Sequence, residues 1–93
     1  MHIHLTAILK SKPGSIPEIK AILENMVRNS RQESTCLQYD LHQGIREPEV
    51  FIFHEIWESA EALEQHNRQP YILEFIEKSA ILLAGPAVIY QTD

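Results

Sequence analysis

The sequence has few of the residues that several common functions require. Cys36 is its only cysteine, so an intrachain disulfide and a cluster of thiolate metal ligands are excluded, and a reducing compartment is favoured. Eight Lys and Arg stand against thirteen Asp and Glu, and the formal charge of -5 disfavours binding to nucleic acid or to an anionic membrane surface. With three glycines there is no glycine-rich phosphate loop and no GxSxG motif, so nucleotide cofactors have no support.

Long apolar runs are also missing. No stretch approaches the ~20 apolar residues that a membrane-spanning helix needs. The first ten residues lack the basic segment and the long apolar core that are typical of a signal peptide. We therefore expect one cytoplasmic domain over residues 1–93, with neither membrane nor nucleic acid as a partner.

The patterns that are present alternate between strand and helix. Alternating apolar residues predict strands over residues 2–10, 37–42, 50–57 and 87–91. In the second of these strands, Leu37, Tyr39 and Leu41 are expected to share one face. Helical spacing predicts helices over residues 15–32, from 59 onward, and again after 70. The order matches the ferredoxin-like βαββαβ fold of the α+β class, a four-stranded antiparallel sheet with helices on one face.

Two serines are candidate helix caps. Ser15 with Glu18 resembles a capping box at the start of the first helix. Ser59 is a candidate N-cap for the second helix.

The second face of the predicted sheet is neither apolar enough for a core nor polar enough to be left in water. Its residues are His2, His4, Thr6, Ile8, Gln38, Asp40, His42, Ile52, His54 and Ile56. A chain this short buries only about 60 to 70% of its unfolded surface, so a second copy packed on this face would add stability. We therefore predict a homodimer. The histidines suggest a metal site as an alternative, but dimer packing explains them adequately and no metal is predicted.

The stretch over residues 51–71 holds the residues best suited to chemistry. One face of its strand carries Phe51, Phe53, Glu55 and Trp57, so a carboxylate lies among three aromatic rings. On the helix that follows, His66 lies three residues after Leu63 and therefore shares its face. Strand and helix are expected to enclose a small apolar pocket that contains both Glu55 and His66.

Two interpretations of this pair are open. An ionised carboxylate among aromatic rings loses hydration, so Glu55 either finds a cation or donors as part of the core, or orients His66. His66 is either a satisfied packing residue or a group that binds or deprotonates substrate, since imidazole accepts protons near neutral pH. The nearby aromatic residues are either core or a platform for a flat substrate. Cys36, with no basic run beside it, is expected to be an inert thiol.

Several short motifs run through the chain in a fixed order. They are Glu33-x-x-Cys36-Leu37-x-Tyr39, Phe51/Phe53-x-Glu55-x-Trp57-x-Ser59, Glu61-Ala62-Leu63 and His66-x-x-x-Pro70. Together they resemble the antibiotic biosynthesis monooxygenase (ABM) domain over nearly the whole chain. The resemblance implies a dimeric α+β barrel of ferredoxin-like subunits. Members of that family include quinol and polyketide-aromatic oxygenases without flavin or metal, heme-degrading enzymes, an isomerase of a phosphorylated autoinducer, and proteins without an assigned substrate.

The chain departs from the family pattern in places. Thr35 stands where Gly is frequent, and Tyr71 stands where a second His frequently follows the Pro. A phenol with a pKa near ~10 can donate a hydrogen bond there but is a poor base at neutral pH. The heme-degrading branch uses Asn, Trp and His where this chain has Ala7, His66 and Ile76. Heme is therefore not expected, and no cofactor is predicted.

The function that the resemblance implies is a cofactor-independent monooxygenase that oxidises a quinol or hydroxylated polyketide with O2. The predicted catalytic residues are His66 and Glu55, and the predicted substrate-binding residues are Trp57, Phe53, Tyr39 and Tyr71. Two alternatives stay open. An isomerase of a small phosphorylated metabolite would need a cation, for which the candidates are Arg46, Arg68 and Lys78. A non-catalytic dimeric module would only bind an aromatic ligand.

Overall fold

A computed structural model describes residues 1–92 as a four-stranded antiparallel sheet with helices on one face. The strands are β1 (Ile3–Lys10), β2 (Cys36–Gln43), β3 (Val50–Trp57) and β4 (Val88–Thr92). The helices are α1 (Ile16–Ser30), α2 (Ala60–His66) and α3 (Pro70–Leu82), and a 3-10 turn over Pro13–Ser15 precedes α1. The strand order is β2-β3-β1-β4, which confirms the ferredoxin-like βαββαβ arrangement.

The register between β1 and β3 places Glu55 inside the apolar layer under the helices. Leu5 pairs with Glu55, and Ala7 pairs with Phe53. Paired residues of antiparallel strands share a face, so these side chains all point toward the helices. The largest fully buried side chains are Trp57, Tyr39, Phe51, Phe53, Ile19 and Leu23. The carboxylate of Glu55 therefore lies among aromatic rings, as the alternation along β3 predicts.

A β-bulge in β2 changes which of its residues face the core. Cys36 pairs with Trp57 and Gln38 with the preceding Ile56, so Leu37 is the extra residue. Leu37 is exposed, whereas Cys36 is half-buried opposite Trp57. The prediction that Leu37 shares the face of Tyr39 is wrong, because one inserted residue shifts the two-residue period.

The two predicted caps have different outcomes. At α2 the prediction is confirmed, because the Ser59 hydroxyl accepts a hydrogen bond from the Ala62 amide at 3.1 Å. Ser15 precedes α1, but its side chain makes no capping hydrogen bond, so the capping box is wrong. The physical reason is the 3-10 turn. It holds Ser15 at φ -113° and ψ 6° instead of the extended conformation that an N-cap adopts.

The outer face of the sheet carries the polar and apolar mixture expected from the sequence. The His42 and His54 rings lie 5.7 Å apart, and the Thr6 hydroxyl lies 3.4 Å from Nδ1 of His54. Within residues 1–92, no group of three or more His, Cys, Asp or Glu side chains is arranged to hold a metal ion. None of the described helices has the length and apolarity to cross a membrane.

Candidate functional site

A cavity of about 430 Å³ lies between the sheet and the helices. Its size falls within the range of small-molecule sites in proteins. All four strands and all three helices contribute to its wall, and the apolar side chains include Leu5, Met26, Phe53, Leu63, Phe75 and Ile89. The polar side chains of the wall are Tyr39, Glu55, His66, Asn67 and Gln91. An apolar guest would therefore meet a few polar groups, of which Glu55 and His66 have shifted pKa values.

His66 reaches the cavity from the last residue of α2. The Ser59 cap fixes the start of this short helix, and His66 itself is only 3% exposed. Its ring packs on the Trp57 indole, with the ring centroids 4.2 Å apart and the planes inclined by 36°. Because Trp57 is fully buried, the imidazole rests on a rigid surface.

Glu33 is the hydrogen-bond partner of His66. It lies in the turn between α1 and β2, and its Oε2 is 2.7 Å from Nδ1 of the imidazole. The Tyr71 hydroxyl donates to the same carboxylate oxygen, and the Ser30 hydroxyl lies 3.3 Å from the phenol. An ionised carboxylate only accepts hydrogen bonds, so this network assigns the imidazole proton to Nδ1.

The second ring nitrogen of His66, Nε2, is left free by this network. Within residues 1–92, Nε2 has no hydrogen-bond partner. Every fully buried side-chain nitrogen and oxygen atom among these residues does have a partner, so Nε2 is not fully buried. Nε2 must therefore touch open space, and His66 lines the cavity. Burial lowers the pKa of His66 and outweighs Glu33, which raises it. The imidazole is neutral at pH 7 and offers the Nε2 lone pair to a guest.

Glu55 lines the same cavity but does not hold His66. Its Oε1 accepts a hydrogen bond of 2.9 Å from the Trp57 indole N–H, and it forms none with His66 within the described residues. The interpretation in which Glu55 orients His66 is therefore wrong, because the imidazole is bound by Glu33 instead. Glu55 instead finds a donor in the core, the Trp57 indole. Burial raises the pKa of Glu55 to about 6, although the indole hydrogen bond lowers it. The cavity thus contains two separate titratable groups.

The four predicted substrate-binding residues divide into two pairs. Tyr39 and Phe53 line the cavity, with their ring centroids 5.1 Å apart. Trp57 and Tyr71 do not line it and instead contact His66. Burial raises the pKa of the Tyr71 phenol, with Glu33 adding to the effect, so Tyr71 remains a protonated donor.

Glu33 and Cys36 lie close together in the chain, in the turn between α1 and β2 and at the first residue of β2. Glu33 begins the first motif of the resemblance, but the sequence gives it no role because its partner lies 33 positions away. Burial, followed by the charges of Glu33 and Glu55, raises the pKa of the Cys36 thiol to about 11. The thiol therefore stays protonated at neutral pH, in keeping with the predicted inert cysteine.

The three candidate phosphate-binding cations lie elsewhere. Arg68 pairs with Glu64, and Lys78 Nζ lies 2.8 Å from Glu74 Oε1, both along exposed helix faces. Arg46 is exposed in the loop between β2 and β3. Within residues 1–92, no Arg or Lys lines the cavity. The site is therefore better suited to an uncharged aromatic than to a phosphate ester.

A sheet of this order, covered by helices on one face and enclosing a cavity between the two layers, defines an α+β protein of the ferredoxin-like class. Residues 2–78 match the family described as "Antibiotic biosynthesis monooxygenase". Since the match covers well over half of the chain, the protein belongs to the antibiotic biosynthesis monooxygenase family.

Similar proteins support the same assignment. The chain is 31% identical over 91 residues to a Bacillus subtilis protein named "Putative monooxygenase YcnE", covering 98% of this chain and 96% of that protein. It is 38% identical over 81 residues to the uncharacterized protein sll1783 of Synechocystis, covering 87% of this chain but only 55% of that longer protein. The crystal structure of PA3566 from Pseudomonas aeruginosa superposes with a TM-score of 0.93 at 33% identity, covering 98% of this chain and 91% of that one.

Proposed function

We propose that this protein is a cytoplasmic, cofactor-independent monooxygenase that oxidises a small electron-rich aromatic, such as a quinol or hydroxylated polyketide, with O2. One observation carries the proposal. A neutral imidazole, held at Nδ1 by Glu33, presents Nε2 to an apolar cavity of about 430 Å³. Membership of the monooxygenase family adds support for the reaction class.

The proposed reaction begins with proton transfer. His66 Nε2 takes the proton of a ring hydroxyl, and the Glu33 carboxylate stabilises the imidazolium that forms. The aryloxide passes one electron to O2, and the resulting aryloxyl radical and superoxide combine at a ring carbon. The His66 imidazolium returns its proton to the peroxide, and loss of water with the hydrogen of that ring carbon leaves a quinone. One oxygen atom enters the product and the other leaves as water, while the apolar wall limits side reactions with solvent.

The other polar and aromatic residues of the site hold either the substrate or His66 in this scheme. Glu55 has a carboxylate oxygen, Oε2, that takes no hydrogen bond from residues 1–92. When ionised, it can accept a hydrogen bond from a second ring hydroxyl. Phe53 and Tyr39 supply the ring contacts, whereas Trp57 and Tyr71 fix the orientation of His66.

Oxygen uptake with a panel of hydroquinones and hydroxynaphthalenes tests the assignment. We expect His66→Ala to lower kcat/KM by about 10²- to 10⁴-fold, the usual contribution of a general base. Glu55→Gln should also lower it. His42→Ala is the matched control, because His42 is exposed on the opposite face of the sheet and should leave the rate unchanged.

Two results would contradict the proposal. Wild-type rates in both His66→Ala and Glu55→Gln would remove these residues from the reaction. Tight binding of the aromatic by the wild-type protein with no oxygen uptake would point instead to a module that only binds its ligand.

The second part of the proposal is a homodimer formed through the outer face of the sheet. This face carries Ile8, Ile52 and Ile56, which are half-buried, together with the exposed Val88 and Tyr90 of β4. Packing two copies together would remove this apolar surface from water. The cavity lies on the other side of the sheet, so each subunit would keep its own site.

A further inference from the structure

A groove between α3 and β4 continues from the cavity. It has a volume of about 620 Å³, and it borders the segment that joins α3 to β4. Four residues line both hollows, namely Phe75, Ile76, Ala87 and Ile89. The α3–β4 groove therefore begins where the cavity beside His66 ends.

Large apolar side chains are exposed at this junction. Ile76 is 54% exposed and Ile89 is 61% exposed, although both line the cavity. Leaving such surface in water is unfavourable, and a hydrocarbon lying across it would be stabilised by removing it from water.

The lining of the α3–β4 groove offers little to a polar ligand. The Ser79 hydroxyl is satisfied by the Ile76 carbonyl at 2.8 Å. Within the described residues, Lys12 is the charged side chain of the groove, and it does not line the cavity. The remaining lining residues are apolar or glycine, so the surface next to the cavity suits a hydrocarbon chain.

A second copy of the protein is the competing occupant, and the sheet geometry argues against it. Ala7 pairs with Ile89, which places Ile89 on the helix side of the sheet. Thr6 pairs with Tyr90, which places Tyr90 on the outer face. The proposed dimer uses the outer face, so it leaves the α3–β4 groove open.

We propose that the α3–β4 groove is a subsite for an apolar chain attached to the substrate ring. The substrate class is then a phenol or quinol with an alkyl or isoprenoid chain. This inference rests on the proposed function, since it places the ring in the cavity beside His66. The ring stays near the two titratable groups, and the chain passes between Ile76 and Ile89 into the groove.

The affinity of 4-alkylphenols tests the subsite without requiring turnover. Calorimetric titration under nitrogen compares 4-methylphenol, 4-butylphenol and 4-hexylphenol. We expect affinity to rise by about fourfold for each methylene that enters the groove, which is the usual value for a buried methylene. Equal affinity across the series would overturn the proposal.

A pair of variants locates the effect. Ala80 is exposed and lines the groove but not the cavity, so Ala80→Asp should abolish the dependence on chain length and keep the affinity for 4-methylphenol. Ala60→Asp, at an exposed helix position that lines neither hollow, is the control and should keep both. Undiminished chain-length dependence in Ala80→Asp would place the chain elsewhere and refute the subsite.

The two proposals fail in different ways. Chain-length dependence without oxygen uptake would retain the subsite and refute the oxygenase. Oxygen uptake without chain-length dependence would retain the oxygenase and refute the subsite.

Discussion

His66 and Glu55 show how burial sets the chemistry of single residues. The same apolar surroundings disfavour charge on both, so they lower the pKa of the imidazole and raise that of the carboxyl group. Glu33 then decides which ring nitrogen of His66 is free, since it binds Nδ1. A base and a separate carboxyl group are thereby present in one cavity near neutral pH.

The pKa of Glu55 predicts a stability change with pH. Burial raises that pKa from 4.5 to about 6, so the fold favours the protonated form. This contribution to stability is fully present below the unfolded-state pKa and is lost as the pH rises through about 6. Glu55→Gln cannot ionise, yet its amide oxygen can still accept the Trp57 hydrogen bond. The quantity to follow is the unfolding free energy of Glu55→Gln minus that of the wild type. We expect this difference to increase by up to about 2 kcal/mol between about pH 4 and about pH 7.5.

Urea unfolding of both proteins at the two pH values gives this difference. Folding lowers the pKa of His66, so the stability that His66 contributes is lost as the pH falls, opposite to Glu55. This contribution is common to both proteins and cancels in the difference. An unchanged difference between variant and wild type would mean that Glu55 is not desolvated.

Local patterns place residues on faces, and they do not reveal partners that are distant in the chain. Strand alternation is enough to direct Glu55 into the core, and helical spacing is enough to turn His66 toward it. The Glu33 contact joins two residues that are far apart in the chain, so no period predicts it. For that reason the sequence predicts the placement of Glu55 and His66, and it does not predict the carboxylate that orients His66.

At the scale of secondary structure, α2 is the element that positions His66. It has only seven residues, so its Ser59 cap matters for its stability. We expect Ser59→Ala to lower the unfolding free energy by about 1 kcal/mol, the usual value of an N-cap. Ser15→Ala is the matched control, because Ser15 makes no capping hydrogen bond, and its effect should stay within about 0.5 kcal/mol.

Urea unfolding of the two variants checks the comparison. Equal losses would show that the Ser59 hydrogen bond contributes nothing particular to α2. Ser15 and Ser59 also show the limit of the sequence motif. A serine before a helix predicts a cap, but the backbone conformation of that serine decides whether its side chain can form the hydrogen bond. The bulge at Leu37 is a similar case, since alternation along β2 gives no sign of an inserted residue.

At the scale of the whole molecule, the two faces of the sheet differ in what covers them. One face holds the cavity, and the other carries the proposed dimer surface. We expect Ile52→Asp, on the outer face, to convert a dimer to a monomer in sedimentation velocity at micromolar concentration. Ile81→Asp is the control, because Ile81 is exposed on α3 away from that face. A monomeric wild-type protein at this concentration would refute the proposed dimer.

Nitrogen-15 NMR of the histidine side chains, with and without 1-naphthol, tests whether His66 offers Nε2 to an aromatic guest. For His66 we predict a neutral ring at pH 7 with the proton on Nδ1, a pKa below the ordinary 6.5, and an Nε2 signal that moves when 1-naphthol binds. Glu33→Gln, which removes the charge that raises this pKa, should lower it further. A ring protonated on Nε2, or an Nε2 signal that does not change when naphthol binds, would show that His66 does not accept the substrate proton.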